Sequence, residues 1–221
     1  MGEIHRVDRL EDLPEEPPAA TYVVIDVIIS STSIVQLLES GAAFVRPFRT
    51  IDAALSFKQD HDDAVLVGEE GGGAIDGFDL SPLPSILSQA DLDGRPVGIR
   101  TSNGTRAIDS LGDRDVLVGT TINAAAVADE LRTREGDIWL VAAGRRGSPT
   151  PEDTAGARLI EAAYEGNLTS ETCEKLFEDV RTSTTADWLR SIGYEHEVDA
   201  LQSVDASEVV PRLQDGVLVP A

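Results

Sequence analysis

The chain has almost none of the residues from which disulfides, zinc sites and nucleic-acid grips are built. Its 221 residues hold a single cysteine, Cys173, so no intramolecular disulfide can form. Cys173 lies in a polar helical stretch, ETCEKLFEDV, and reads as a packed small residue rather than a nucleophile. The three histidines, His5, His61 and His196, lie far apart in acidic surroundings with no metal-ligand spacing, which leaves a zinc site or a Ser-His-Asp triad without support. Lysine is limited to Lys58 and Lys175, and 18 basic residues face 40 acidic ones. No basic stripe is available to neutralise a phosphate backbone, so nucleic acid is excluded as a partner. No apolar run approaches the roughly 18–20 residues of a membrane span. The first twenty residues are acidic and contain proline, unlike a signal peptide, and this predicts a cytoplasmic protein whose residues 1–20 form a flexible acidic arm ahead of a single domain over 21–221.

The acids are what is abundant. The formal net charge is −22, and the acids are scattered rather than gathered in a tail. Strong hydrophobic periodicity argues against disorder. A scattered excess of this size predicts a halophilic protein, since at molar salt a Debye length of about 3 Å screens the self-repulsion.

Strands and helices alternate along the chain. Residues 22–29 read as a buried strand, 30–39 as a helix, 42–48 as a strand and 51–59 as a helix. A strand over 64–69 ends in the glycine-rich loop 69–73, and a short helix follows near 84–88. Further strands over 96–100, 115–118 and 137–142 each lead into helices, over 103–111, 122–134 and 151–164. Two short helices are expected over 170–192, with short strands in the tail. This alternation predicts a three-layer α/β/α sandwich with a largely parallel sheet. If the strands near 23, 96, 115 and 137 share one parallel sheet, their polar ends meet where open α/β folds keep their sites.

The turn after the strand at 96–100 is the most informative. In VGIRTSNGTRAIDSL, Asn103, Gly104, Thr105 and Arg106 put backbone N–H groups, a hydroxyl and a guanidinium at a helix start, a cradle for phosphate; a plain helix cap is the alternative. Asn123, in TTINAAA, repeats the pattern. Asp26 is a carboxylate in an apolar strand, costly unless it holds a metal, donor or cation. With Glu69 and Asp79 it would make an all-oxygen set suited to Mg2+; the alternative is that those two are solvated loop acids. Glu152 and Asp153 open a helix after Gly144–Gly147, either as metal-water or base groups or as ordinary first-turn acids. Arg145 and Arg146 either neutralise an anionic substrate or pair with surface acids.

Taken together these segments resemble the 2-phosphosulfolactate phosphatase family, in order over about residues 22–160 and more weakly to Pro211. The family's first strand, V-I-D-V-L-R-A with three Ser or Thr and Ile, appears as VIDVIISSTSI. Its G-E-R-x-G and G-F-D-L-G-N-S-P appear as GEEGGGAIDGFDLSPLP, its T-T-N-G-T-R-A as TSNGTRA, its S-x-x-N-A-x-A as TTINAAA, and its A-G with E-D and A-G as AAGRRGSPTPEDTAGA. The resemblance implies a magnesium-dependent phosphoric monoester hydrolase acting on a small three-carbon phosphate ester with a carboxylate and a sulfonate. It carries over Asp26, Glu69, Asp79, Asn103, Gly104, Thr105, Arg106, Asn123, Glu152 and Asp153. Of these, Asp26, Glu69 and Asp153 are the expected catalytic residues, and Asp26, Glu69, Asp79 and Glu152 the expected metal ligands. Asn103 to Arg106, Asn123, Arg145 and Arg146 are expected to bind the substrate. Two family arginines are replaced, by Ile29 and by Glu70, and the Gly-Asn-Ser-Pro loop reads Leu80-Ser81-Pro82. The alternative is a non-catalytic relative that binds a small anion as a sensor or assembly subunit; a homo-oligomer is compatible with either.

Overall fold

The aliphatic run after the N-terminal segment forms β2 (Thr21–Ile25), with all five residues buried. It lies between β6 (Asp115–Gly119) and β7 (Ile138–Ala142) and pairs with both in parallel. The computed structural model describes residues 2–221. A second parallel block consists of β3 (Phe44–Pro47), β5 (Pro96–Arg100) and β4 (Val65–Gly68), in that spatial order. Between the blocks lies the C-terminal hairpin, β8 (Pro211–Gln214) and β9 (Val217–Pro220), which joins β6 to β3 through antiparallel pairing. With β1 (Ile4–Val7) outside β7, the order across the nine strands is β1-β7-β2-β6-β8-β9-β3-β5-β4.

Helices cover both faces, because successive strand residues point to opposite sides. On one face Val23, Ile25, Leu117 and Leu140 pack against α5 (Ala124–Arg132), α6 (Pro151–Glu165), α7 (Ser170–Arg181), α8 (Thr184–Ser191) and α9 (Glu195–Ala200). On the other, Tyr22, Val24, Val116, Val118, Val45 and Val97 pack against α1 (Ser30–Glu39), the short α3 (Pro84–Leu87) and α4 (Gly104–Ser110). The remaining helix, α2 (Ile51–Asp60), packs through Ala54 and Phe57 on Leu66, on the opposite face of the second block. This is the α/β sandwich expected from the alternation of elements. The strands near 23, 96, 115 and 137 do not form one contiguous set, however: β2, β6 and β7 are neighbours, and β5 belongs to the other block.

Two further expectations are corrected. The strand expected over 22–29 stops at Ile25, and Val27–Ile29 turn into α1. Side chains and the first turn take over the hydrogen bonds there. Ser31 Oγ accepts from the Asp26 N–H at 2.9 Å, and Asp153 Oδ1 accepts from the Val27 N–H at 2.8 Å. The N-terminal segment, expected as a flexible arm, begins with a sheet strand. His5 stacks on Trp139 at 4.6 Å, Arg9 donates to the Gly147 carbonyl at 2.8 Å, and Glu11 pairs with Arg106 at 2.8 Å.

Candidate active site

The turns that follow β2, β4, β5 and β7 line one cavity of about 380 Å³. Each turn has a local reason to be there. After β2, Ile29 adopts φ 102°, ψ −77°, a backbone region that a β-branched residue rarely enters. α1 begins at the next residue, and the hydroxyls of its first turn staple it to its neighbours. Thr32 Oγ1 donates to the Val27 carbonyl and meets Thr120 Oγ1 at 2.7 Å, and Ser33 Oγ donates to the Pro82 carbonyl. After β4, Glu70 and Gly73 exchange backbone hydrogen bonds around Gly71 and Gly72, whose φ values are 60° and 88°. After β7, Arg145 and Ser148 do the same around Arg146 and Gly147, at 52° and 77°. Positive φ at both central residues is what a type I′ turn requires.

The floor of the cavity holds four buried carboxylates, Asp26, Glu69, Glu152 and Asp153. Glu69 is fixed by N–H groups of Gly72 (2.6 Å) and Ser102 (2.7 Å) and by the Ser102 hydroxyl (3.1 Å). Asp153 accepts from Val27 N–H and from Gly144 N–H at 3.1 Å. Glu152, at 3% exposure, has an Oε2 with no partner, although a buried polar atom without one is costly. Burial first, then the charges of Asp153 and Glu69 and more weakly Glu152, hold the Asp26 carboxyl well above the ordinary range. The Gly104 N–H opposes this by favouring the ionised form. Burial and then Glu152 push Asp153 up to about 7, against the N–H groups of Val27 and Gly144.

The expected residues divide sharply. Asp26, Glu69, Glu152 and Asp153 come together at the floor, while Asn103, Arg106, Arg145 and Arg146 line the cavity. Arg106 is tied to Glu11 and Glu70 to Arg100, whereas among the described residues no carboxylate pairs with Arg145 or Arg146. Gly104 and Thr105 serve the protein rather than a ligand. The Gly104 N–H faces the Asp26 carboxyl and favours its ionised form, and a Cβ at Gly104 would lie 2.2 Å from Ser30 Oγ. Thr105 Oγ1 donates to the Thr101 carbonyl at 2.8 Å. The expected cradle of free amides is thus largely filled by the chain's own acceptors.

Two residues leave the site altogether. Asn123 is fully buried outside the cavity: its Oδ1 accepts from Thr120 N–H at 2.9 Å, and its amide donates to the Val118 and Val209 carbonyls. Asp79 also lies outside the cavity, accepting from Leu66 N–H at 2.8 Å and paired with Lys58. It is no ligand for a metal beside Asp26.

Sequence reasoning missed the wall that α8 supplies. Thr185 and Trp188 line the cavity, and Trp188 packs on Gly72, where a Cβ would lie 2.8 Å from its Cζ2. No motif marks them, since α8 reads only as a short amphipathic helix.

Among the described residues no three His, Cys, Asp or Glu side chains form a ready-made metal-ligand group. Mg2+ usually takes one or two carboxylates and draws its other ligands from water and phosphate. The orphaned Oε2 of Glu152, in the same cavity as Asp26, fits that demand. No described helix is long and apolar enough to cross a membrane.

Comparison with known proteins places the chain in a family. The family model described as 2-phosphosulpholactate phosphatase matches residues 7–216. A protein of Deinococcus radiodurans named probable 2-phosphosulfolactate phosphatase is 33% identical, with 96% of this chain and 95% of the relative covered. One of the same name in Thermotoga maritima is 30% identical, over 90% of this chain and 91% of its own length. A third, in Thermoplasma acidophilum, is 29% identical over 91% and 89%. The match spans both parallel blocks and the first strand of the hairpin that joins them, β8, and the chain belongs to the 2-phosphosulpholactate phosphatase family.

Proposed function

We propose that the protein is a magnesium-dependent phosphatase that hydrolyses a small anionic phosphate ester. One observation carries the reading: a floor of four buried carboxylates, one with an orphaned oxygen, lies beneath two arginines free of carboxylate partners in a single cavity. Carboxylates alone would repel a phosphate, and arginines alone would bind it without chemistry. The 2-phosphosulfolactate of the relatives' name is the first ester to test.

Arg145 and Arg146 grip the phosphoryl oxygens, for which the guanidinium fork is well shaped. Asn103 and Arg106 orient the ester from the opposite turn. Asp26 and Glu152 would hold Mg2+, which supplies Lewis-acid stabilisation of charge on the phosphoryl oxygens. Asp153, with its carboxyl near 7, has the affinity a general base needs close to neutral pH. It takes the proton from the water that attacks phosphorus as the ester P–O bond breaks, and the leaving alkoxide oxygen takes a proton from solvent to depart as the alcohol. Glu69 positions the loop around Gly72 and Ser102 and adds negative charge that favours a cation at the floor.

The test is phosphate release from a panel of 2-phospho-carboxylate and sulfonate esters in molar KCl, with Mg2+ or with chelator. Release that needs Mg2+ and disappears in Asp26→Asn supports the reading. A folded protein that binds these esters without turnover would instead be an anion-binding relative.

A further inference from the structure

The turns after β5 and β7 carry the arginines that line the cavity, and a segment that belongs to neither ties them together. β1 ends at Val7 and leads into a single 3-10 turn, Leu10–Asp12. Arg9 donates through Nη1 to the Gly147 carbonyl at 2.8 Å, and Asp12 holds its Nε at 2.8 Å. A Cβ at Gly144 would lie 3.1 Å from that of Arg9. These two glycines flank Arg145 and Arg146. Glu11, two residues on from Arg9, reaches the other turn. Its Oε1 accepts from Arg106 Nη1 at 2.8 Å, and its carboxyl carbon lies 3.8 Å from where a Cβ at Gly147 would sit.

The contact with Arg106 is partial. Glu11 takes one of the three guanidinium nitrogens, and among the described residues no acceptor takes Nε or Nη2. An arginine side chain is rich in rotamers, and one already fixed at one edge loses less freedom when a ligand arrives. Both partners are about two-fifths exposed, so the pair contributes little to the stability of the fold. Its position, between one cavity-lining arginine and the turn of two others, gives it a different use.

We propose that Glu11 is a positioning residue for the anion grip: it holds one nitrogen of Arg106, leaves the other two for an anionic ester, and fixes Arg106 relative to the turn of Arg145 and Arg146. This rests on the proposed function only in that the ligand is an anion.

The probe is phosphonoacetate, which carries two anionic groups and resists hydrolysis, titrated by calorimetry in molar KCl with Mg2+. Glu11→Ala should weaken its binding about fivefold, and Glu11→Gln, which keeps the acceptor oxygen, about twofold or less. In an Arg106→Ala background Glu11→Ala should add nothing, since its effect passes through that arginine. Tighter binding in Glu11→Ala would make Glu11 a competitor for Arg106 and overturn the inference. So would unchanged binding, an equal loss in the Arg106→Ala background, or a wild type that binds no phosphonoacetate. Phosphate release from the ester panel, followed in parallel, separates the two readings: Glu11→Ala should raise KM and leave kcat within about threefold. The coupled loss of binding in a protein that releases no phosphate overturns the phosphatase reading and leaves the role of Glu11 standing; release without the coupled loss does the reverse.

Discussion

Raising the pH in the absence of divalent cations should destabilise this protein, and the size of the loss follows from the cavity floor. Asp153 holds its proton up to about pH 7 in the fold, against an ordinary value of 3.8. Between those values the native state binds a proton that the unfolded chain has released, so stability falls as pH rises and levels off above 7. The difference corresponds to about 4 kcal/mol, of which about 2 kcal/mol falls between pH 5 and pH 7. For a chain of this size that is a drop in Tm of roughly 5–8 °C. Asp26, raised well above the ordinary carboxylate range by burial and by the charges of Asp153 and Glu69, acts in the same direction. Glu11, lowered through its hydrogen bond and ion pair with Arg106, works oppositely, but its contribution is lost only as pH falls below about 4.5, outside this window. The assay is thermal unfolding in constant molar KCl with chelator from pH 5 to pH 8. Salt at that level screens the surface acids and hardly touches the buried ones. Asp26→Asn should raise Tm at pH 8, because it removes a buried ionisable group whose charged form the fold disfavours and keeps an oxygen facing the Gly104 N–H. Mg2+ should restore Tm at pH 8 in the wild type by binding the native state. A chelated wild type that grows more stable from pH 5 to pH 8, or an Asp26→Asn variant that melts lower there, would refute the reasoning.

Other predictions concern residues whose roles the fold reassigned. Asp79→Ala should cost about 1–2 kcal/mol in urea unfolding, through the lost Leu66 bond and the half-exposed Lys58 pair, and should leave kcat/KM within threefold. Asn123→Ala should cost about 2–4 kcal/mol, because it strands one N–H and two carbonyls, and KM should be unaffected in whatever folds. Gly104→Ala should lower phosphatase activity about 100-fold, despite alanine's better helix propensity, because the new methyl drives Ser30 and Asp26 from their places. Arg146→Ala should weaken phosphate-ester binding by roughly 10- to 100-fold, read as KM, with little change in stability; unchanged binding would remove this arginine from the site.

Periodicity alone carried the element order. Aliphatic runs bounded by glycine and hydroxyl residues located β2–β7 and α1–α6, because local burial sets the period of each segment. β1 escaped notice since IHRV has no apolar pattern of its own and depends on β7, with His5 stacked on Trp139, for its place. α9 was missed for a related reason: EHEVDA is short and acidic, and only Val198 and Glu197 turn inward. Glu197 accepts from the Ser85 N–H at 3.1 Å, a contact 112 residues distant that no local pattern announces.

The candidate site was legible where chemistry and backbone coincide. A carboxylate in an apolar run, an acid pair opening a helix and two adjacent arginines in an acidic chain each contradict their surroundings, and Asp26, Glu152, Asp153, Arg145 and Arg146 do share the cavity. Which motif residues face a ligand and which face the protein was decided only by the fold. Asn103 and Asn123 each stand immediately before a helix, yet one lines the cavity and the other is spent on the Thr120 N–H and two carbonyls. The sequence by itself determined the alternating α/β grammar and the inventory of charged groups, because these depend on neighbours a few residues away. The tertiary structure alone decided that a C-terminal hairpin joins two parallel blocks, that Asp79 belongs to Lys58, and that Trp188 walls the cavity. Those outcomes depend on which distant surfaces bury one another, and residues close along the chain carry no record of that.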